Sequence, residues 1–297
     1  MTGLLVDIKR FAIHDGPGIR TTLFMKGCSL SCRWCHNPES ISKKTEIGFL
    51  GKKCTGCGKC VEICPNNAHA LKEGIHTLDR SKCIACGKCV DACLPGALEN
   101  YGREITVEEA VDKVIEDKVF YSNSNGGCTI SGGEPLLQAE FCKEVFKRLQ
   151  KKGVHCAIDT SGATPWSNFE TALPYVDMFL YDVKHTDAQQ SQKHTGLSCN
   201  LVLSNLERLS QCGVPIEIRI PAIPEFNFDE ASFDAIGKFL SKLKNIIGVR
   251  LLPYHNLARS KYEALGKPDT MPHVPAPTSE QMRFAASVLK NFDLKVK

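Results

Sequence analysis

Short apolar runs recur along this chain. They alternate with longer stretches in which apolar residues return every three or four positions. The runs span residues 19–25, 128–131, 155–159, 178–182, 216–221 and 249–252. They are short, and several are rich in β-branched residues, as expected of buried parallel strands. The helical stretches span residues 107–117, 139–152, 200–211, 230–243 and 279–291. Thr106 with Glu109, and Thr278 with Gln281, stand at the spacing of capping boxes. After the second strand, the strands recur at intervals of roughly 20–40 residues, which suits βαβ units. The expected fold class is therefore α/β, a partial (β/α)6 barrel of six parallel strands. In such folds the chemistry gathers at the C-terminal ends of the strands. The polar candidates fall there. Cys28 follows the first strand and Gly132-Gly133-Glu134-Pro135 the second. Asp159-Thr160-Ser161-Gly162 ends the third, and Asp182-Val183-Lys184 the fourth. Arg219 and Pro221 end the fifth, and Pro253-Tyr254-His255 follows the sixth.

Composition narrows the class. With 297 residues, 42% apolar and 24% charged, the chain can build a full core and is not disordered. A net charge of +4 is no argument for a nucleic-acid partner. No apolar run approaches the roughly 18 residues of a membrane helix. The first ten residues meet charge too early for an export signal. A cytoplasmic protein with neither a nucleic-acid nor a membrane partner is expected.

The 16 cysteines change the picture. Disulfide scaffolds are mostly short and secreted. This chain is long, and it clusters its cysteines. Cys54, Cys57, Cys60 and Cys64 form C-x2-C-x2-C-x3-C before Pro65, and Cys83, Cys86, Cys89 and Cys93 repeat that spacing. Pro95 stands one place later than the usual proline. The repeat fills the gap between the first two strands. It resembles the bacterial ferredoxin pattern, in which the fourth cysteine of each run crosses to the other cluster. One [4Fe–4S] cluster is then assigned to Cys54, Cys57, Cys60 and Cys93, and another to Cys64, Cys83, Cys86 and Cys89. A pair of zinc knuckles is the competing reading, although zinc sites usually pair their C-x2-C units at longer separation. A third group is different in kind. Cys28, Cys32 and Cys35 form C-x3-C-x2-C. Three thiolates hold three irons of a cubane and leave the fourth iron open, as catalytic zinc sites keep a position open. Five cysteines remain, Cys128, Cys142, Cys156, Cys199 and Cys212, and are read as small buried hydrophobes.

The loop Cys28-Ser-Leu-Ser-Cys32-Arg-Trp-Cys35 resembles that of the radical S-adenosylmethionine superfamily. The resemblance implies an open-site [4Fe–4S] cluster and S-adenosylmethionine as cofactors. Gly132-Gly133-Glu134 resembles the GGE element, whose backbone and carboxylate hold the cofactor's ammonium. Asp182-Val183-Lys184 resembles the D-x-K element, an acid for ribose hydroxyls or ammonium and a lysine for carboxylate. A salt-bridged strand end is the plainer reading of that pair. Asp159 is expected near the ammonium, or else as a helix cap. His255 resembles the histidine near the ribose. Trp34 and His36 flank Cys35 and are expected to line the adenosine site through their backbone, although Trp34 reads equally well as a core aromatic.

Asp15-Gly16-Pro17-Gly18-Ile19-Arg20 resembles the D-G-P-G-[IC]-R signature of glycyl radical enzyme activating enzymes. A Gly-Pro turn into the first strand would explain only part of it. The resemblance covers essentially the whole chain, including the two-cluster insert. It implies reductive cleavage of S-adenosylmethionine to a 5′-deoxyadenosyl radical, which takes hydrogen from a backbone glycine of a partner dehydratase, decarboxylase or lyase. Asp15 and Gly16 are expected to meet that glycine's loop. A low-potential donor such as flavodoxin or ferredoxin, and an anaerobic bacterial source, are implied. The expected domains are residues 1–46 as the first part of the barrel, 47–102 as the ferredoxin-like insert and 103–297 as the remainder. The rivals are a radical enzyme acting on a small molecule or maturing another protein, and a ferredoxin-like electron carrier. Three clusters would also bring the net charge to about −1.

Overall fold

A computed structural model describes residues 1–297. The strands are β1 (Thr2–Ala12), β2 (Arg20–Met25), β3 (Glu46–Phe49), β4 (His69–Lys72), β5 (Ile75–Leu78), β6 (Leu98–Tyr101), β7 (Arg103–Thr106), β8 (Gly127–Gly132), β9 (His155–Thr160), β10 (Met178–Asp182), β11 (Ile216–Ala222) and β12 (Ile246–Pro253). The helices are α1 (Lys59–Ile63), α2 (Lys88–Asp91), α3 (Val107–Ile115), α4 (Lys118–Ser124), α5 (Ala139–Gln150), α6 (Trp166–Ala172), α7 (Ala188–Thr195), α8 (Asn200–Leu209), α9 (Glu230–Leu240), α10 (Arg259–Leu265) and α11 (Ser279–Lys290).

Eight strands form one open sheet in the order β12-β11-β10-β9-β8-β2-β1-β7. The six from β12 to β2 run parallel. They are the six strands expected, to within three residues at either end. Alternation gives these strands two unlike faces. Leu23, Ile130, Ile158, Phe179, Ile218 and Val249 are fully buried in one apolar core. Phe146 and Leu149 of α5, Leu206 of α8, Ile236 of α9 and Leu289 of α11 join them. Each such side chain contributes about 1.5–3 kcal/mol by leaving water. The residues between them on the strands include Thr22, Thr129, Ser131, Asp159, Glu217 and Arg219, which are polar and point to the other face.

All five expected helices form, and both capping boxes close, with Glu109 N–H donating to Thr106 Oγ1 at 3.1 Å and Gln281 N–H to Thr278 Oγ1 at 3.2 Å. The helices stop one to three residues early. At α9 the reason is visible: Lys242 and Leu243 bond to Phe239 and Leu240, three residues back, so the last turn tightens. The hydrophobic pattern missed β1 and β7, which extend the sheet antiparallel beyond β2. Asp7, Lys9 and Arg10 interrupt the apolar run of β1, because much of that strand faces solvent. The pattern also missed the short helices α4, α6, α7 and α10.

The segment between β3 and β6 adds no strand to the main sheet. Antiparallel pairing of β3 with β6 brackets it, and β4 and β5 form a hairpin inside. Gly58 and Gly87, both left-handed, start the one-turn helices α1 and α2. Cys128, Cys142, Cys156 and Cys199 are buried as expected, whereas Cys212 is exposed just after α8 and does not belong to the core. No helix is long and apolar enough to cross a membrane.

Candidate functional site

All six parallel strands end on one cleft of about 320 Å³. The loop after β2 contributes Cys28, Cys32, Trp34, Cys35 and His36. Gly132 and Gly133 enter from β8, Asp159 from β9, Asp182 and Lys184 from β10, Arg219 from β11 and Tyr254 from the end of β12. Asp15 reaches the cleft from the loop before β2. The three thiols are partly buried and free of disulfides. Burial pushes Cys28 and Cys32 up to about 12 and Cys35 to about 11. Thiols held that high become thiolates only when a cation binds them. Three sulfur donors on one loop therefore fit an iron cluster better than they fit catalysis by a free thiolate.

Glycine is required at the end of β8. Gly132 has φ +115°, and a Cβ there would lie 2.3 Å from the Met25 carbonyl oxygen. A Cβ on Gly133 would lie 2.2 Å from the Gly27 oxygen. The absence of side chains lets Gly133 N–H donate to Met25 (3.0 Å) and Glu134 N–H to Gly27 (2.8 Å). These bonds join the end of β8 to the backbone that leads into Cys28.

Glu134 is fully buried and is not among the residues lining the cleft. Its carboxylate accepts from Thr160 Oγ1 (2.7 Å), Ser161 Oγ (2.6 Å), Ser161 N–H (2.9 Å) and Leu136 N–H (3.2 Å). With those donors in place, the carboxylate holds the loop after β9. Val183 is likewise buried outside the cleft, and its N–H donates to the Arg219 carbonyl at 2.8 Å. His255 is exposed and not among the lining residues: its carbonyl accepts from His36 Nε2 at 2.9 Å, and the two rings stack at 3.9 Å. Burial pushes His36 down to about 4, so the ring is neutral near pH 7. Trp34 is a core aromatic that also reaches the cleft. It packs on Phe226 at 4.5 Å in a small aromatic core with Tyr254 and Tyr262.

Three carboxylates and two cations face the cleft. Lys184 donates to Asp182 at 2.5 Å. Arg219 donates to Asp159 (3.1 Å) and to the His14 carbonyl (2.6 Å), which ties β11 to both β9 and the loop carrying Asp15. Asp15 accepts from Thr22 Oγ1 at 2.8 Å. Burial raises Asp159 to about 6 even though Arg219 opposes the shift. Burial works against the Lys184 ammonium, but Asp182 and Cys32 outweigh it and hold the pKa above its ordinary value. Gly16 is not in the lining. Arg20 of the same motif is fully buried and donates to Thr129 Oγ1 (2.6 Å), the Cys128 carbonyl (2.5 Å) and the Pro17 carbonyl (3.2 Å), which fixes the loop in place. Sequence reasoning missed Ser131, which donates to Asp159 at 2.8 Å. The available signal was a hydroxyl on the polar face of an apolar strand.

In the segment between β3 and β6, one pocket is lined by Cys54, Cys57, Cys60 and Cys93 together with His76. A second is lined by Cys64, Cys83, Cys86 and Cys89 with His69. Each pocket thus gathers three cysteines of one run and the fourth of the other.

The model of the radical SAM superfamily matches residues 22–234, which hold the cysteine loop and five of the six parallel strands. The chain belongs to the radical SAM superfamily. Within it, the chain groups with the activating enzymes of glycyl radical enzymes. It is 41% identical to the trans-4-hydroxy-L-proline dehydratase activating enzyme of Clostridioides difficile, over 100% of this chain and 99% of that protein. It is 41% identical to the benzylsuccinate synthase activating enzyme of Thauera aromatica, over 89% and 82% of the two chains. It is 38% identical to the isethionate sulfite-lyase activating enzyme of Nitratidesulfovibrio vulgaris, over 98% and 97%. Among solved structures, Streptococcus suis SuiB bound to the precursor peptide SuiA shares the fold, with TM-score 0.53 and 9% identity over 91% of this chain and 45% of that one.

Proposed function

We propose that the cleft takes a [4Fe–4S] cluster on Cys28, Cys32 and Cys35 with S-adenosylmethionine beside it, and directs the resulting radical at a backbone glycine of a partner enzyme. The convergence of six strand ends on three partly buried thiols and a set of opposed charges carries this reading. When bound and reduced, such a cluster supplies the electron that cleaves S-adenosylmethionine to methionine and a 5′-deoxyadenosyl radical. The chain's own residues bind and orient. Lys184 suits the cofactor's carboxylate, Asp182 and Asp159 its ammonium or ribose, and the uncapped backbone at Gly132 and Gly133 allows close approach. Glu134 acts at one remove, by holding Thr160 and Ser161. Asp15, held by Thr22 and by the loop that Arg219 anchors, faces the cleft where the partner's glycine would enter.

The two other pockets suit two further [4Fe–4S] clusters in a ferredoxin-like insert, so that three clusters serve one partial barrel. The names of the relatives point to a partner of the dehydratase, decarboxylase or lyase type. The electron would come from a low-potential donor such as flavodoxin or ferredoxin. The test uses anaerobic, iron-loaded protein with dithionite and S-adenosylmethionine. Release of 5′-deoxyadenosine, and a glycyl doublet by electron paramagnetic resonance once a candidate partner is added, are expected. No cleavage from fully loaded protein would leave only the electron-carrier reading. Cleavage without a doublet across dehydratase, decarboxylase and lyase partners would favour a small-molecule substrate.

A further inference from the structure

His69 and His76 are diagonal neighbours on the β4–β5 hairpin: His69 pairs with Leu78 and His76 with Leu71, a register that puts both side chains on the same side. His69 Nδ1 and His76 Nε2 are 2.8 Å apart, so one of them carries the shared proton. A ring nitrogen of each lies within 4.8 Å of Cys60 Sγ. His76 lines the pocket of Cys54, Cys57, Cys60 and Cys93. It is 8% exposed, and its Nδ1 is buried with no partner in the protein. Phe49 packs on the ring at 4.4 Å, which restrains its rotation.

Two tautomeric arrangements satisfy the bond between the histidines. If His76 Nε2–H donates to His69, then His76 Nδ1 is a bare lone pair, buried without a partner. If His69 Nδ1–H donates to His76 Nε2, then His76 Nδ1 carries a proton and needs an acceptor. The first leaves a buried acceptor with nothing to accept from, on a residue that lines a pocket of four cysteines. The second turns a donor toward the most electron-rich group nearby. Hydrogen bonds to the sulfurs of a cluster stabilise the reduced, more negative state and raise its potential.

We propose that His76 Nδ1–H donates a hydrogen bond to the sulfur of the cluster held by Cys54, Cys57, Cys60 and Cys93, with His69 fixing the tautomer, and that this bond raises the cluster's potential above that of its neighbour. His76 is a positioning and tuning residue: it ligates no iron. The assignment rests on the two-cluster reading of the insert. It would make this cluster the readier acceptor of an electron from the external donor.

The experiment is an anaerobic redox titration of the iron-loaded protein, followed by electron paramagnetic resonance, with iron and sulfide counted for each variant. In His76→Phe, one of the three midpoints moves to lower potential and the other two hold still. His76→Asn, which can restore an N–H donor at nearly the same place, recovers most of the shift. His69→Ala, which frees the tautomer, lowers the same midpoint by a smaller amount. Unchanged midpoints in fully loaded His76→Phe would overturn the proposal. So would an equal loss of about four irons per chain in both His76 variants, because the ring would then be holding the cluster rather than tuning it. If the unmutated protein itself binds only one cluster, the two-cluster reading fails and this assignment falls with it.

Discussion

A carboxylate cut off from water has to find its hydrogen-bond donors in the protein, and Glu134 finds four. Glu134→Gln keeps the shape but turns an amide N–H toward hydroxyl and backbone donors. We expect a loss of about 1–3 kcal/mol in the stability of the cofactor-free protein, read by chemical denaturation. A change below about 0.5 kcal/mol would show that those bonds are not holding the loop. Asp159 offers a second test. Its pKa stands raised at about 6, first because of burial. A raised acid binds its proton more tightly when folded, so its contribution to stability is complete below about pH 4. It is lost as the pH rises through about 6, to the extent of about 1–3 kcal/mol. Asp159→Asn in the cofactor-free protein should flatten stability across that window, and an unaltered slope would show the carboxyl to be ionised throughout. Neither role was legible in the sequence. A glutamate after two glycines reads the same whether it faces the cleft or the neighbouring strand.

At the scale of elements, Arg80 joins the segment between β3 and β6 to the rest of the chain. It donates to the Ile47 carbonyl on β3 at 2.6 Å and to the Ala264 carbonyl on α10 at 2.7 Å. Lys267 adds an ion pair with Glu46 at 3.1 Å, which the neighbouring solvent weakens. Arg80→Ala should therefore cost about 1–3 kcal/mol locally rather than globally. Hydrogen exchange is the measurement: faster exchange is expected across β3 and α10, with α5 unchanged. Uniform acceleration throughout the chain would mean that the contact supports the whole fold. The elements that the sequence showed clearly are those with one strong periodicity, such as α5 and β8. Those it hid are short or face solvent on one side, as β1 and α7 do.

At the scale of the whole molecule, the sheet brings together residues from Asp15 to Tyr254, and the two further cysteine pockets lie outside it. The proposal gives the three sites unequal duties, which substitution can separate. Cys32→Ala should abolish cleavage of S-adenosylmethionine. Cys86→Ala should remove about four irons while cleavage with dithionite stays within roughly threefold of normal, because the first cluster keeps its ligands. With a protein donor the same variant should slow further, if the electron passes through the insert. Loss of dithionite-driven cleavage in Cys86→Ala would show that the insert is needed for the fold of the active cleft rather than for relay.

Strand spacing, helix caps and the three cysteine groups are properties of neighbouring residues, and the sequence by itself determined them. They were enough for the class of fold, the likeness to radical enzymes and the thiols of the cleft. What each carboxylate touches depends on the register of strands far apart in the chain. Only the tertiary structure turned Glu134 onto Thr160 and Ser161, Arg219 onto Asp159 and the His14 carbonyl, and His76 toward four cysteines. Spacing along a chain sets which atoms can share a metal loop. Packing between strands sets which way a buried polar group must face to find a partner.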